Sequence, residues 1–275
     1  MAPGRYDLDA VDWGALSDAF SRLERLREDE TGLLSFGMPD AGGIFVERGR
    51  VCFVAARGHA QRLRDVLLER SNIDADVLDR VSEQCRIERK WLGQTLVAQG
   101  LIPAAELEQA LRYHSAECLL ELCREPLPTR WASHVGRGFA PRFTFPAVEL
   151  LLDTVGLVVP MQRAQAIKTL ARLERPRRQA AAFLIDAEHD RLLPVAEVGG
   201  QDVGALRALG RWAETIPRVS LELATETSFA LAVTPKGESV FVWWKDGLLF
   251  TLLCEDQMEL ANVMAAHLAT QRQSH

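Results

Sequence analysis

The stretch WLGQTLVAQGLI, Trp91 to Ile102, has a worn copy, RLRDVLLERSNI, at Arg62 to Ile73. Aligning Leu63 with Leu92 sets an offset of 29 residues; Leu67 then meets Leu96, Leu68 meets Val97, Ser71 meets Gly100, Ile73 meets Ile102 and Leu78 meets Leu107. Each copy reads as a short helix, a tight turn and a second helix. Gly100 suits the left-handed conformation that ends a helix, and Asn72, one position later in the first copy, can do likewise. Asp74 is a good N-cap for the following helix, and Pro103 at the equivalent place suits a first turn. Two helical hairpins are therefore expected to pack on each other. The last helix runs through AELEQALRYHSAECLLELC, with Leu107, Leu111, Cys118 and Leu122 inward, until Pro126 stops it.

Upstream of the repeat, WGALSDAFSRLERLRED reads as a helix with Leu16, Phe20, Leu23 and Leu26 on one stripe. Three strand-like runs follow, TGLLSFG, GGIFVERG and RVCFVAARG, and the Gly within IFVERGRVCFV signals a hairpin. Their alternation is imperfect, so at least one strand is expected to be covered on both faces. Downstream, LPTRWASHVGRGFAPRFTFP carries Trp131, Phe139, Phe143 and Phe145 and is expected to close the first domain with a strand. AVELLLDTVGLVV is an apolar helix, ended or kinked by Pro160.

The second half changes character. PMQRAQAIKTLARL is a helix rich in Arg and Lys, followed by the polar joint ERPRRQ. AAAFLID and RLLPVAEV flank a turn, and DVGALRALGRWAETI is helical, with Leu206, Leu209, Ala213 and Ile216 on one stripe. LELATETSFALAV, SVFVWWKD and LLFTLLCE read as strands, and DQMELANVMAAHLATQRQ as a closing amphipathic helix. LLFTLLC is apolar throughout, so that strand is expected to be covered on both faces by layered helices.

With 275 residues, 48% apolar and 25% charged, the chain has the composition of a soluble globular protein of one or two domains. A net charge of -6 and a sequence pI near 5.6 speak against a nucleic-acid partner and against an acidic disordered chain. No apolar run has the length of a membrane span, and the acidic start MAPGRYDLDAVDWG lacks an apolar signal core, so a cytoplasmic location is expected. The five cysteines are odd in number and contain no CxxC pair, as expected of reduced, mostly buried thiols.

Residues 14–157 resemble the PATAN (DUF4388) domain of bacterial signalling proteins, through TGLLSF, the IFVERGRVCFVAARG hairpin, the doubled helical phrase and the Trp131–Phe143–Phe145 segment. Residues 160–275 resemble a Roadblock/LC7 domain, through element order and FLIDAEHDRLLPVAEV. The expected fold is α+β. Residues 1–157 would form a PATAN-like domain, a small antiparallel sheet with a helical-hairpin repeat. Residues 158–275 would form a Roadblock/LC7-like α/β sandwich with a five-stranded sheet. The resemblances imply a non-enzymatic cytoplasmic signalling adaptor acting by protein–protein contact. Its implied partners are a small Ras-like GTPase or that GTPase's Roadblock-type regulator, a response regulator, and a second copy in a homodimer, in cell polarity or motility.

The doubled phrase also resembles the paired RLGxxLVxxG motifs with which the N-terminal domain of type II secretion and pilus ATPases binds cyclic di-GMP. That alternative places the nucleotide on Arg62, Leu63, Leu92 and Gly93. The chain departs from the pattern at Arg64, where Gly belongs, and at Trp91, where Arg belongs. Cys85 and His114 stand where glutamine closes each copy. The departing residues are the phosphate-contacting ones, and the surviving leucines are those that packing needs.

No other motif points to chemistry or to a cofactor. In VGGQDVG, Asp202 reads as a helix N-cap beside glycines that lack the Lys-Ser/Thr of a phosphate loop. The six histidines lack HxxxH or HExxH spacing, so no metal ligands are expected, and no G-x-S-x-G nucleophile turn occurs. RAQAIKTLARLERPRR reads as a solvated basic face or an electrostatic dock for an acidic partner. Trp243 and Trp244 point to opposite faces of their strand; one or both fill the core, or one meets a partner. Arg207, Arg211 and Trp212 are further candidate interface residues.

Overall fold

The repeated leucines form one core. In the computed structural model, which describes residues 11–23, 25–37, 41–59, 61–133, 143–172, 178–186, 191–198, 229–233, 239–245, 247–254 and 261, the first copy folds as α2 (Leu63–Arg70) and α3 (Ala75–Glu88), and the second as α4 (Leu92–Ala98) and α5 (Ala104–Leu122). Leu67, Leu96, Leu78 and Leu107 are fully buried, and Ile73 and Ile102 join them in a single cluster with Val66, Val81, Cys85 and Ala110. Helix α2 packs on α5 and α3 packs on α4, so the first helix of each copy meets the second helix of the other. This exchange brings equivalent leucines into the same apolar layer.

The caps explain where these helices begin. The Asp74 carboxylate accepts from Asp76 N at 2.9 Å and Val77 N at 3.2 Å, satisfying two otherwise orphaned donors of α3. Gly100 adopts φ +68° at the end of α4, the left-handed conformation its type permits. The first copy ends differently: Ser71, extended at φ -124°, caps α2 through its backbone N–H to Leu67 O, and Asn72 is not left-handed. Ser71 Oγ also donates to Leu67 O at 2.7 Å, supplying a local bond that a glycine could not. Pro103 occupies the N-cap itself, just ahead of the first turn.

Four antiparallel strands lie beside these helices: β1 (Gly32–Phe36), β2 (Gly42–Glu47), β3 (Arg50–Ala56) and β4 (Thr129–Ser133), in the order β3-β2-β1-β4. Arg48 and Gly49 both have positive φ, 52° and 68°, as a two-residue hairpin turn of the primed type demands. Phe45 pairs with Phe53 but Val46 pairs with Val51, leaving Cys52 as the extra residue of a bulge. This bulge accounts for the broken alternation of RVCFV: Cys52 turns to the side of Phe53, Val54 lies on the opposite face, and both are buried, so β3 carries buried residues on both faces. The closing segment supplies β4, paired along β1, and Phe145 bridges to Val51. Arg50 ties this segment down, donating to Thr144 Oγ1 at 2.8 Å and Thr144 O at 2.7 Å.

Helix α1 (Trp13–Leu23) buries Leu16, Phe20 and Leu23 but ends before Leu26. Helix α6 (Ala147–Val158) packs on α5, where Arg112 bridges to Glu149 at 2.8 Å and Asp153 at 2.7 Å. Pro160 begins a separate helix, α7 (Pro160–Leu170), the first-turn position where a missing N–H costs nothing. The chain divides into two compact units, residues 1–158 and 159–275.

In the second unit, β5 (Arg178–Asp186), β6 (Arg191–Val198), β7 (Phe229–Val233), β8 (Ser239–Lys245) and β9 (Leu248–Cys254) form one five-stranded sheet, ordered β6-β5-β9-β8-β7 with every pairing antiparallel. Strand β9 is buried at alternate and intervening positions alike, from Leu248 to Leu252, so both its faces are covered. Helix α7 packs on β5 and β6. The mixture of helices with antiparallel sheets makes the class α+β. No helix among the described residues is long and apolar enough to cross a membrane.

Candidate functional site

A pocket of about 380 Å³ opens where the heads of the two helical copies meet the β2–β3 hairpin. Phe45, Phe53 and Ala55 form its strand wall, and the bulge turns Cys52 to the same side as Phe53. Leu63 from the first copy and Trp91, Leu92, Gly93 and Gln94 from the second form the helical wall. Leu107, Leu111 and Phe143 complete the lining, in which no residue carries a charge. Trp91 is 42% exposed, leaving much of its indole open to a binding partner.

Gly93 is small for a packing reason. A Cβ there would stand 2.9 Å from Leu107 Cδ2, closer than ordinary carbon contact allows. The position therefore lets α4 settle on the fully buried Leu107. Leu63 and Leu92 are half-buried, packing on the repeat core and facing the pocket. The pocket thus gathers Leu63, Leu92 and Gly93 of the cyclic di-GMP alternative, but Arg62 is not among its lining. Arg62 is the exposed N-cap residue of α2, with its backbone N–H donating to Asp65 Oδ2 at 3.0 Å. Arg64 donates twice to Asp79, at 2.6 and 2.7 Å.

Next to this pocket, and sharing Phe53 with it, lies a group of buried ionisable side chains that the histidine spacing did not reveal. The Phe53 ring stacks on His114 at 5.3 Å, and His59 meets His114 edge-on at 5.6 Å. His114 and Cys118 are one helical turn apart on α5, with Cys118 Sγ 3.7 Å from His114 Nδ1. Ligand atoms of His59, His114 and Cys118 all lie within 4.8 Å of one another. Fully buried Glu117 places Oε2 3.6 Å from His59 Nε2. Burial, reinforced by His59, holds His114 far below the usual imidazole range, at about 4, and burial pushes the Cys118 thiol up to about 12. Beyond the cluster, Arg70 lies 3.4 Å above the Tyr113 ring. The i, i+4 pair on α5 was legible in the sequence as a helical spacing of unlike ligands. His59 was not, because only the fold brings the segment after β3 against α5.

In the second unit Trp243 is buried, stacked on Phe241 at 5.1 Å and on Phe250 at 5.2 Å. Its ring belongs to the core of the unit and offers little face to a partner. Trp244 follows it in β8, paired with Leu249. Arg207, Arg211, Trp212 and Asp202 lie outside the described residues, as do the helices read over 203–216 and at the C-terminus. Helix α7 leaves Met161 and Ile167 exposed alongside Lys168. The chain matches no family model, no curated protein and no solved structure.

Proposed function

We propose that this chain is a non-enzymatic signalling adaptor that seats an apolar side chain of a partner protein in the pocket between the two helical copies. The observation carrying this reading is the pocket's chemistry: an uncharged, largely aromatic and leucine lining with a half-exposed tryptophan. Such a surface rewards desolvation of an apolar anchor and offers a reacting substrate no acid, base or fixed charge. The PATAN-like reading of the first unit gives the partner class as a response regulator. The Roadblock/LC7-like reading of the second, supported by its five-stranded antiparallel sheet, gives a small Ras-like GTPase or its regulator. Exposed Lys168 on α7 adds attraction for an acidic receiver surface. A cytoplasmic setting and a homodimer fit this role.

The test is capture from native cells by the tagged full chain, followed by assay of nucleotide hydrolysis by any recovered GTPase. Recovery of a Ras-like GTPase or a response regulator by the wild type, lost with Leu92→Glu, supports the reading; recovery of neither removes it. The alternative, a cyclic di-GMP receptor, draws on the convergence of Leu63, Leu92 and Gly93 on one pocket. Micromolar binding of that nucleotide, abolished by Arg62→Ala, would favour it instead.

A further inference from the structure

We propose that His59, His114 and Cys118 form a binding site for one transition-metal ion of the zinc class, clamping α5 to the segment after β3. Two imidazoles and a thiol are the donor set that zinc and its neighbours favour and that magnesium and calcium reject. Zn–N bonds of about 2.0–2.1 Å and a Zn–S bond of about 2.3 Å, at a tetrahedral angle, separate the ligand atoms by roughly 3.5 Å. Cys118 Sγ stands 3.7 Å from His114 Nδ1 and 3.8 Å from Nε2, so that pair already has this spacing, and the His59 ligand atom lies within 4.8 Å of both.

The surroundings orient the ligands as metal sites require. His114 donates one ring N–H to the Gln61 backbone carbonyl, which leaves the lone pair of its other nitrogen for an ion. The Ala56 backbone N–H donates to Cys118 Sγ, a bond that favours the thiolate. The His59 side chain is 10% exposed, and its Nε2 is buried without a hydrogen-bond partner. A buried imidazole nitrogen left so costs stability that a metal bond would recover. Glu117 Oε2, 3.6 Å from that nitrogen, places a carboxyl oxygen beside the site.

Binding forms one metal–sulfur and two metal–nitrogen bonds and breaks the Cys118 S–H bond, whose proton leaves to solvent. The ion would fix His114 behind Phe53 and so stiffen one wall of the apolar pocket.

The full-length protein, stripped by a chelator and dialysed, is titrated with Co2+ and, against a chromogenic chelator, with Zn2+. One equivalent per chain is expected, with a thiolate-to-cobalt charge-transfer band in the near ultraviolet. Cys118→Ser removes that band. His59→Gln, at the solvent side of the cluster, weakens Zn2+ binding at least tenfold while the circular dichroism spectrum is unchanged. Binding without the thiolate band, a band that survives Cys118→Ser, or unaltered Zn2+ affinity in a folded His59→Gln protein would each overturn the assignment.

Discussion

Leu67→Ala and Leu96→Ala, made separately, are expected to weaken the first unit by nearly the same amount. The two leucines occupy equivalent places 29 residues apart, and each is 0% exposed within the shared core. Each substitution deletes three carbons, about 2.4 kcal/mol at roughly 0.8 per carbon. The cavity left behind raises the loss to about 3 kcal/mol or more, since close-packed helices collapse only in part. Peptide-resolved native-state hydrogen exchange reads this directly. About 3 kcal/mol corresponds to roughly 150-fold faster exchange for the most protected amides of α2 to α5. Peptides from β5 to β9 should be unchanged, because those strands belong to the other compact unit. Leu63→Ala and Leu92→Ala remove side chains that already face the pocket on one side, and each should cost about 1 kcal/mol. The reasoning fails if either core substitution costs less than about 1 kcal/mol, or if Leu63→Ala is as damaging as Leu67→Ala.

Asp74→Ala should lower stability by about 1 kcal/mol, moving the melting temperature of the first unit by about 2–4 °C, through loss of the two N-cap bonds of α3. Arg112→Ala should cost about 2 kcal/mol in denaturant titration, because it strips charged hydrogen bonds from Glu149 and Asp153 at the α5–α6 contact. The Cys52 thiol is pushed up to about 12, first by burial and then by the Glu47 carboxylate, against an ordinary value of 9.0. Between those values the unfolded chain has lost a proton that the folded chain keeps, so stability falls as pH rises through that window. Denaturant midpoints should therefore decline from about pH 9 upward, and Cys52→Ala should make the decline shallower.

The parts of this fold that were legible in advance are those governed by local spacing. The 29-residue echo announced the paired hairpins, because burying an amphipathic stripe needs the same leucine positions whichever partner covers it. Asp74 and Gly100 marked helix ends because capping chemistry is a property of single residues. Three features escaped for a common reason: each depends on which segment lies across from which. The bulge at Cys52 is set by register against β2. The pocket joins residues from Phe45 to Phe143, and no local pattern indicates that they leave a gap. His59 is 55 residues from His114, so motif spacing could not pair them.

The two copies are symmetric in their core and asymmetric at their heads, and that asymmetry determines where the pocket can form. At the offset that superposes Leu67 on Leu96 and Leu78 on Leu107, Arg62 falls on Trp91 and Arg64 on Gly93. In the second copy Gly93 admits close approach of Leu107, and Trp91 stands at the mouth as a broad apolar lip. In the first copy the equivalent of that glycine is a long cationic chain, turned to a doubly bonded partnership with Asp79. An arginine so engaged cannot shed its carboxylate to line an apolar hollow without losing both charged hydrogen bonds. The leucines hold the duplicated helices together, and the head of the second copy, Trp91 to Gln94, supplies most of the pocket's helical wall beside Leu63. A function read from the repeat as a symmetric dinucleotide clamp would need both ends alike; the arrangement of Trp91 and Gly93 against Arg62 and Arg64 favours one apolar anchor from one partner.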